Sequence, residues 1–167
     1  GYSAMLISSS GTVPTTNWTF PANGSWLPYT TFSSGEFPDP LTTDCAGRGW
    51  TYPLGAVVIG SVDQPVASAT ASLVDSTTGA TQEICKIGTS RVVIVPRSPL
   101  TAGHTYRAEV STVPPDGNPT AQPVDLVWSF TVVDRPSPPT VTIGTANGRM
   151  VGRITPGPDS GVPLTGF

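Results

Sequence analysis

Few residues in this chain carry the chemistry that active sites need, and their spacing limits it further. The 167 residues include two cysteines, Cys45 and Cys85, one histidine, His104, and eleven acids. A nucleophilic triad needs a histidine beside a serine or cysteine, but His104 sits in Gly103-His104-Thr105-Tyr106, which reads as a solvated turn. Glu36 with Asp39, or Glu83 with Glu109, are formal pairs for glycoside hydrolysis, yet nothing in their spacing singles them out. Asp39, Asp44 and Asp63 lack the one-three-five spacing of a calcium loop and read as loop residues. No catalytic residue, metal site or cofactor is therefore expected. The cysteines are either two reduced, buried thiols or one disulfide. The disulfide is the favoured reading, because no C-x-x-C pair and no second histidine is present to complete a zinc site. It implies an oxidising, extracellular setting, secreted or at a cell surface.

What remains is surface chemistry. Trp18, Trp26, Tyr29 and Trp50 lie in loop-like sequence. There, aromatic faces are candidates for stacking on glycans or protein partners, with packing into the core as the alternative. Asn17-Trp18-Thr19 and Asn23-Gly24-Ser25 match the N-glycosylation sequon, and Asn17 and Asn23 are the candidate acceptors.

The elements that must position these residues are strands. Gly 18 and Pro 19 are abundant, while charged residues make up only 11 %, so a helical bundle is excluded. A net charge of −3 and a pI near 4.8 speak against a nucleic-acid partner. No run of 18 apolar residues is present, so no membrane insertion is expected, and any signal peptide is expected to lie outside this sequence. Residues 1–36 form an N-terminal segment with one strand candidate, Tyr2 to Ser8, and an aromatic, loop-rich stretch. Residues 37–134 carry apolar runs separated by turn chemistry every 8–12 residues, the pattern of a sandwich. The predicted strands are Leu54–Gly60, Ala67–Asp75, Gln82–Ile87, Arg91–Pro96, His104–Val113 and Asp125–Val133. Tyr106, Ala108 and Val110 alternate with Arg107 and Glu109, and Trp128 and Phe130 alternate with Ser129 and Thr131. Tyr106, Trp128 and Phe130 are therefore the expected core. Residues 135–140 read as a stiff Pro-rich linker, and 141–167 as a hairpin turning at Ala146-Asn147-Gly148, followed by a Pro/Gly-rich end.

Two stretches resemble known families. Pro96-Arg97-Ser98-Pro99-Leu100-Thr101-Ala102-Gly103-His104-Thr105-Tyr106, with Gly117-Asn118 and Trp128-Ser129-Phe130-Thr131, resembles the late strands of bacterial immunoglobulin-like domains. That resemblance implies an all-β, immunoglobulin-like sandwich with flanking extended segments, in which Tyr106 returns its hydroxyl to upstream backbone. Pro138-Pro139-Thr140-Val141-Thr142-Ile143 through Arg153-Ile154-Thr155-Pro156 to Gly161-Val162-Pro163-Leu164-Thr165-Gly166-Phe167 resembles the opening of a fibronectin type III domain. Ile154 stands near where such domains place a core Trp. The expected function is a non-catalytic extracellular structural module of a bacterial surface or secreted protein: a spacer, an adhesin or a filament-forming subunit. Its expected partners are other protein modules or copies of itself, joined by strand addition through 2–8 or 140–154. The alternative is an accessory carbohydrate-binding module of a secreted enzyme, with glycans as partner.

Overall fold

The computed structural model describes residues 16–33, 39–42, 44–118, 120–134, 140–146 and 149–155. The Tyr2–Ser8 strand, Glu36, most of the linker, the Asn147-Gly148 turn and the 156–167 end lie outside the described residues.

The described residues form twelve strands: β1 (Trp18–Phe20), β2 (Ser25–Leu27), β3 (Thr31–Phe32), β4 (Leu54–Gly55), β5 (Val58–Ser61), β6 (Ser68–Asp75), β7 (Ile84–Ile87), β8 (Arg91–Pro96), β9 (Thr105–Val113), β10 (Asp125–Val132), β11 (Thr140–Ala146) and β12 (Arg149–Thr155). Two four-stranded sheets face each other, ordered β1-β5-β8-β7 and β2-β10-β9-β6. The first four strands of one sheet and the last three of the other reproduce the ABED and GFC orders of an immunoglobulin-type sandwich. The fold is an all-β sandwich.

Alternation explains which side chains meet between the sheets. Along β9, Tyr106, Ala108 and Val110 point inward, and along β10, Trp128, Phe130 and Val132 do. The register sets Trp128 opposite Ala108 and Phe130 opposite Tyr106. A large ring beside a small methyl lets the layers interdigitate, and the Tyr106 and Phe130 rings stack with centroids 5.8 Å apart. Gly60 faces Trp128 from β5: a Cβ there would lie 3.2 Å from the indole and 3.1 Å from Val110. The Trp128 indole N–H has no hydrogen-bond partner among the described residues. The Tyr106 hydroxyl accepts the Thr101 N–H at 2.9 Å, tying the β8–β9 connection to the core.

Three differences from the sequence expectations have physical reasons. The sandwich does not start at residue 37. Strands β1 and β2 add an edge to each sheet, crossing between them at Pro21-Ala22-Asn23-Gly24. Three-residue strands broken by Pro and Gly are too short to show alternation. The expected strand Leu54–Gly60 is split: Leu54–Gly55 pairs with β3, and Val58–Ser61 pairs with β1 and β8. Finally, the aromatic, loop-rich sequence is not all open: Phe32, with Leu41, Cys45, Trp50, Tyr52 and Leu54, packs as a third layer on the outer face of the first sheet.

β11 and β12 pair from Thr140↔Thr155 to Ala146↔Arg149. Val141, Ile143 and Met150 are exposed on this hairpin.

Candidate functional site

The third layer is where the irregular chemistry collects. On β8 the side chains alternate between two cores. Val92 and Ile94 point between the sheets, while Val93 and Val95 point outward, under Cys45, Trp50 and Leu54. A strand buried on both faces must read as a continuous apolar run, and Val92-Val93-Ile94-Val95 does. Beside it on β7, Cys85 pairs with Val95 and Ile87 with Val93. Cys45 reaches Cys85 with an S–S distance of 2.09 Å and a Cα–Cα distance of 5.9 Å. The expected disulfide is formed, and such bonds persist in oxidising compartments.

Around the staple, Leu54 and Trp50 fill the cluster, with Phe32, Leu41 and Tyr52 at its margin. Trp50 is only 8 % exposed, which corrects the expectation that it offers an open ring. The disulfide five residues upstream presses its loop against the sheet. The Arg48 guanidinium sits 5.2 Å from the centre of its ring, and Trp50 lies close enough to the Glu83 carboxylate to help lower its pKa. Glu83 accepts Arg97 at 2.7 Å. The Arg97 bond is the main reason the exposed Glu83 carboxyl is held below its ordinary pKa, with Trp50 and Arg48 adding to it. Arg48 donates to the Ile84 carbonyl on the edge of β7. Sequence reasoning missed Arg48, Glu83 and Arg97 as a group; only their nearness to the two cysteines and Trp50 hinted at it. A shallow cleft of about 290 Å³ opens between Gly49–Pro53 and Arg97–Pro99.

The other candidate aromatics are exposed and stand apart from one another along the chain's first strands. Trp26 is 49 % exposed beside Thr131 on the outer face of the second sheet. Tyr29 follows it, also exposed. Trp18 lies on β1 opposite Ser61, and the Arg91 guanidinium is 5.6 Å from its ring centre. The two sequon asparagines are exposed but structurally engaged. Asn17 Oδ1 accepts the Asp63 N–H at 3.0 Å, and Asn23 Oδ1 accepts the Ser129 N–H at 2.9 Å. Each therefore has a role in strand attachment whether or not a glycan is attached.

The residues that resemble acid–base machinery also hold the fold. His104 Nδ1 lies 2.8 Å from Asp75 Oδ2, and the backbone N–H groups of Thr77 and Thr78 donate to Asp75 Oδ1. Burial pushes the Asp75 carboxyl upward, but the bonds from His104, Thr78 and Thr77 outweigh it, and the pKa ends below the ordinary value. This His–Asp contact joins the turn after β6 to the turn before β9. Asp39 accepts the Tyr52 hydroxyl at 2.6 Å and the Leu41 N–H at 2.9 Å, so it caps a turn in the outer layer.

No protein-family model matches the chain, and no curated protein matches it. Among solved structures, PcoC, a methionine rich copper resistance protein from Escherichia coli, is similar. It is 17 % identical with a TM-score of 0.45, over 69 % of this chain and 93 % of that one. The sandwich described above rests on this chain's own strand ladders.

Proposed function

We propose that the chain is a non-catalytic extracellular structural module acting as a spacer in a bacterial surface or secreted protein. In this reading an immunoglobulin-like domain is followed by the opening hairpin of a fibronectin type III-like unit. The observation that carries it is the parallel pairing of β2 with β10. Parallel neighbours at the start and finish of a sandwich make the chain enter at one end and leave at the other, which is what a unit strung in series needs. The groups that would do chemistry are spent on the fold: His104 on Asp75, Glu83 on Arg97, Asp39 on Tyr52. The disulfide suits secretion, and an irregular layer stapled to a sheet suits survival there.

Negative-stain micrographs of the purified full chain test this reading. Dispersed elongated particles are expected. Filaments would replace the spacer with a self-assembling subunit joined by strand addition, and a compact globule with its two termini adjacent would overturn the series arrangement. A second reading, an accessory carbohydrate-binding module, is favoured by Trp26, whose half-exposed ring flanks Thr131 on the outer face of the second sheet. It requires glycan affinity that Trp26→Ala removes. A glycan panel with no binding to the unaltered chain disposes of it.

A further inference from the structure

We propose that Asn23-Gly24 is a self-modifying site guarded by strand β10. While β2 lies on β10 the pair reacts slowly; in a chain whose β2 has lifted away it converts, without an enzyme, to aspartate and isoaspartate. The inference goes beyond the spacer reading and does not depend on it.

The sequence has two Asn-Gly pairs, Asn23-Gly24 and Asn147-Gly148. In such a pair the glycine nitrogen approaches the asparagine side chain with no Cβ in the way. The chemistry needs only water and a solvent base. The glycine nitrogen gives up its proton and bonds to the asparagine Cγ. The bond from Cγ to Nδ2 breaks, ammonia leaves, and a five-membered imide remains. One water then opens the imide. Attack at Cγ leaves aspartate in an ordinary main chain. Attack at the main-chain carbonyl carbon leaves isoaspartate, whose main chain runs through Cγ and is one carbon longer.

Both reacting groups of Asn23-Gly24 are tied to a single residue of β10. Gly24 N donates to the Ser129 carbonyl at 2.7 Å, and Asn23 Oδ1 accepts the Ser129 N–H at 2.9 Å. Asn23 and Gly24 are exposed, so water is at hand and the protection comes from these two bonds. The bond to Oδ1 polarises the side-chain carbonyl, which alone would favour attack. It gains nothing while the nitrogen is turned to Ser129, because ring closure needs the reacting atoms aligned at about 3–3.5 Å. The rest of the turn is fastened too: Ser25 N and Oγ donate to the Ala22 carbonyl at 3.0 and 2.7 Å, and Leu27 is buried. The reaction therefore waits for β2 to leave β10. β2 is three residues long, the kind of edge that opens locally, so product accumulates with the time the edge spends open.

The two products differ in what they allow afterwards. Aspartate keeps an oxygen for the Ser129 N–H. In isoaspartate the extra carbon moves Gly24 N off the Ser129 carbonyl and takes Ser25, Trp26 and Leu27 out of register with Phe130, Thr131 and Val132. An opening that ends in isoaspartate thus releases the edge strand for good.

Peptide mapping by mass spectrometry, with isoaspartyl methyltransferase labelling, follows Asn23 in the full oxidised chain in native buffer and in urea at the same pH. Folding is expected to slow its conversion roughly twenty-fivefold, the factor for two hydrogen bonds. A slowing of about fivefold or less, the worth of one bond, overturns the guard. Leu27→Ala loosens β2 without touching the pair and is expected to raise the native rate; an unchanged rate overturns the dependence on opening. Should that variant not fold, the comparison of native and denatured unaltered chain still decides. For the release, an Asn147→Ala chain is aged in urea and refolded, then set beside Asn23→Asp in the same background. Faster hydrogen exchange over 129–133 is expected in the aged protein, and equal exchange overturns the release.

Discussion

Strand β8 has an apolar cluster on each side, and the two clusters are held by different means. On the inner side, Val92 and Ile94 meet side chains delivered by β5, β6, β9 and β10, each placed by a ladder with a two-residue period. On the outer side, Val93 and Val95 meet Trp50, Leu54 and Cys45 from a segment with almost no ladder of its own. There the disulfide and bonds from Arg48 and Tyr52 do the positioning. The contrast teaches that the inner cluster should fail as a unit when its shape is spoiled, and the outer one should come loose by itself when its staple is cut.

The largest effect is expected from Trp128→Ala. Removing the largest buried side chain leaves a cavity between the sheets and costs about 3–5 kcal/mol, enough to threaten the whole domain, since typical stabilities are about 5–15 kcal/mol. Chemical denaturation should show one transition at a much lower midpoint. Cutting the staple with the double change Cys45→Ser and Cys85→Ser is expected to cost up to about 4 kcal/mol for a 40-residue loop in the chain-entropy model. Its location is the sharper point. Hydrogen exchange should rise across 44–57 while β9 and β10 stay protected. Uniform loss of protection in both clusters would erase the distinction between them.

Gly60→Ala tests the inner cluster from the opposite direction. The added methyl meets Val110 and Trp128 at 3.1 and 3.2 Å, and overpacking of this kind costs about 1–3 kcal/mol. A thermal melt should move down, and a shift within error would mean that Trp128 has room to yield. Tyr106→Phe keeps the ring in the inner core but leaves the Thr101 N–H without its acceptor, at about 1–2 kcal/mol.

How legible this was in the sequence divides along the same line. Strands β9 and β10 are nine and eight residues long, so alternation had room to repeat, and their inward faces can be read directly. The cysteine pair is legible because two residues without metal partners leave few options. Trp50 is not, because Gly47-Arg48-Gly49-Trp50 has the composition of an open loop. Its burial is imposed from outside the segment, by a bond to a strand 40 residues away. The clue was there in its nearness to Cys45, and only pairing gives that nearness a meaning. β1 and β2 are illegible for a different reason: three residues each, around Pro21 and Gly24, are shorter than any periodicity. Their place is set by Asn17 and Asn23, whose sequons invite a reading about glycans and whose Oδ1 atoms hold backbone.

The smallest effect separates the regions by charge. One carboxylate in each is held below its ordinary pKa: buried Asp75 at the sandwich turns and exposed Glu83 beside the outer layer. A group whose folded pKa is depressed adds stability that is complete above its unfolded value, near 4 for carboxylates, and is lost as pH falls through the folded value. Both contributions should therefore fade below about pH 4, giving a falling melting temperature on acidification. Salt distinguishes them. The Glu83–Arg97 pair is solvated on both sides, so it is screened within about 3 Å at 1 M salt and is worth little to begin with. Asp75 is shielded by burial and by fixed N–H donors from Thr77 and Thr78. At high salt the acid slope should keep the part that Asp75→Asn removes and lose the part that Glu83→Gln removes. If high salt flattened the slope entirely, the Asp75 contact would be behaving as a surface pair, and the link between the two turns would carry none of the stability assigned to it.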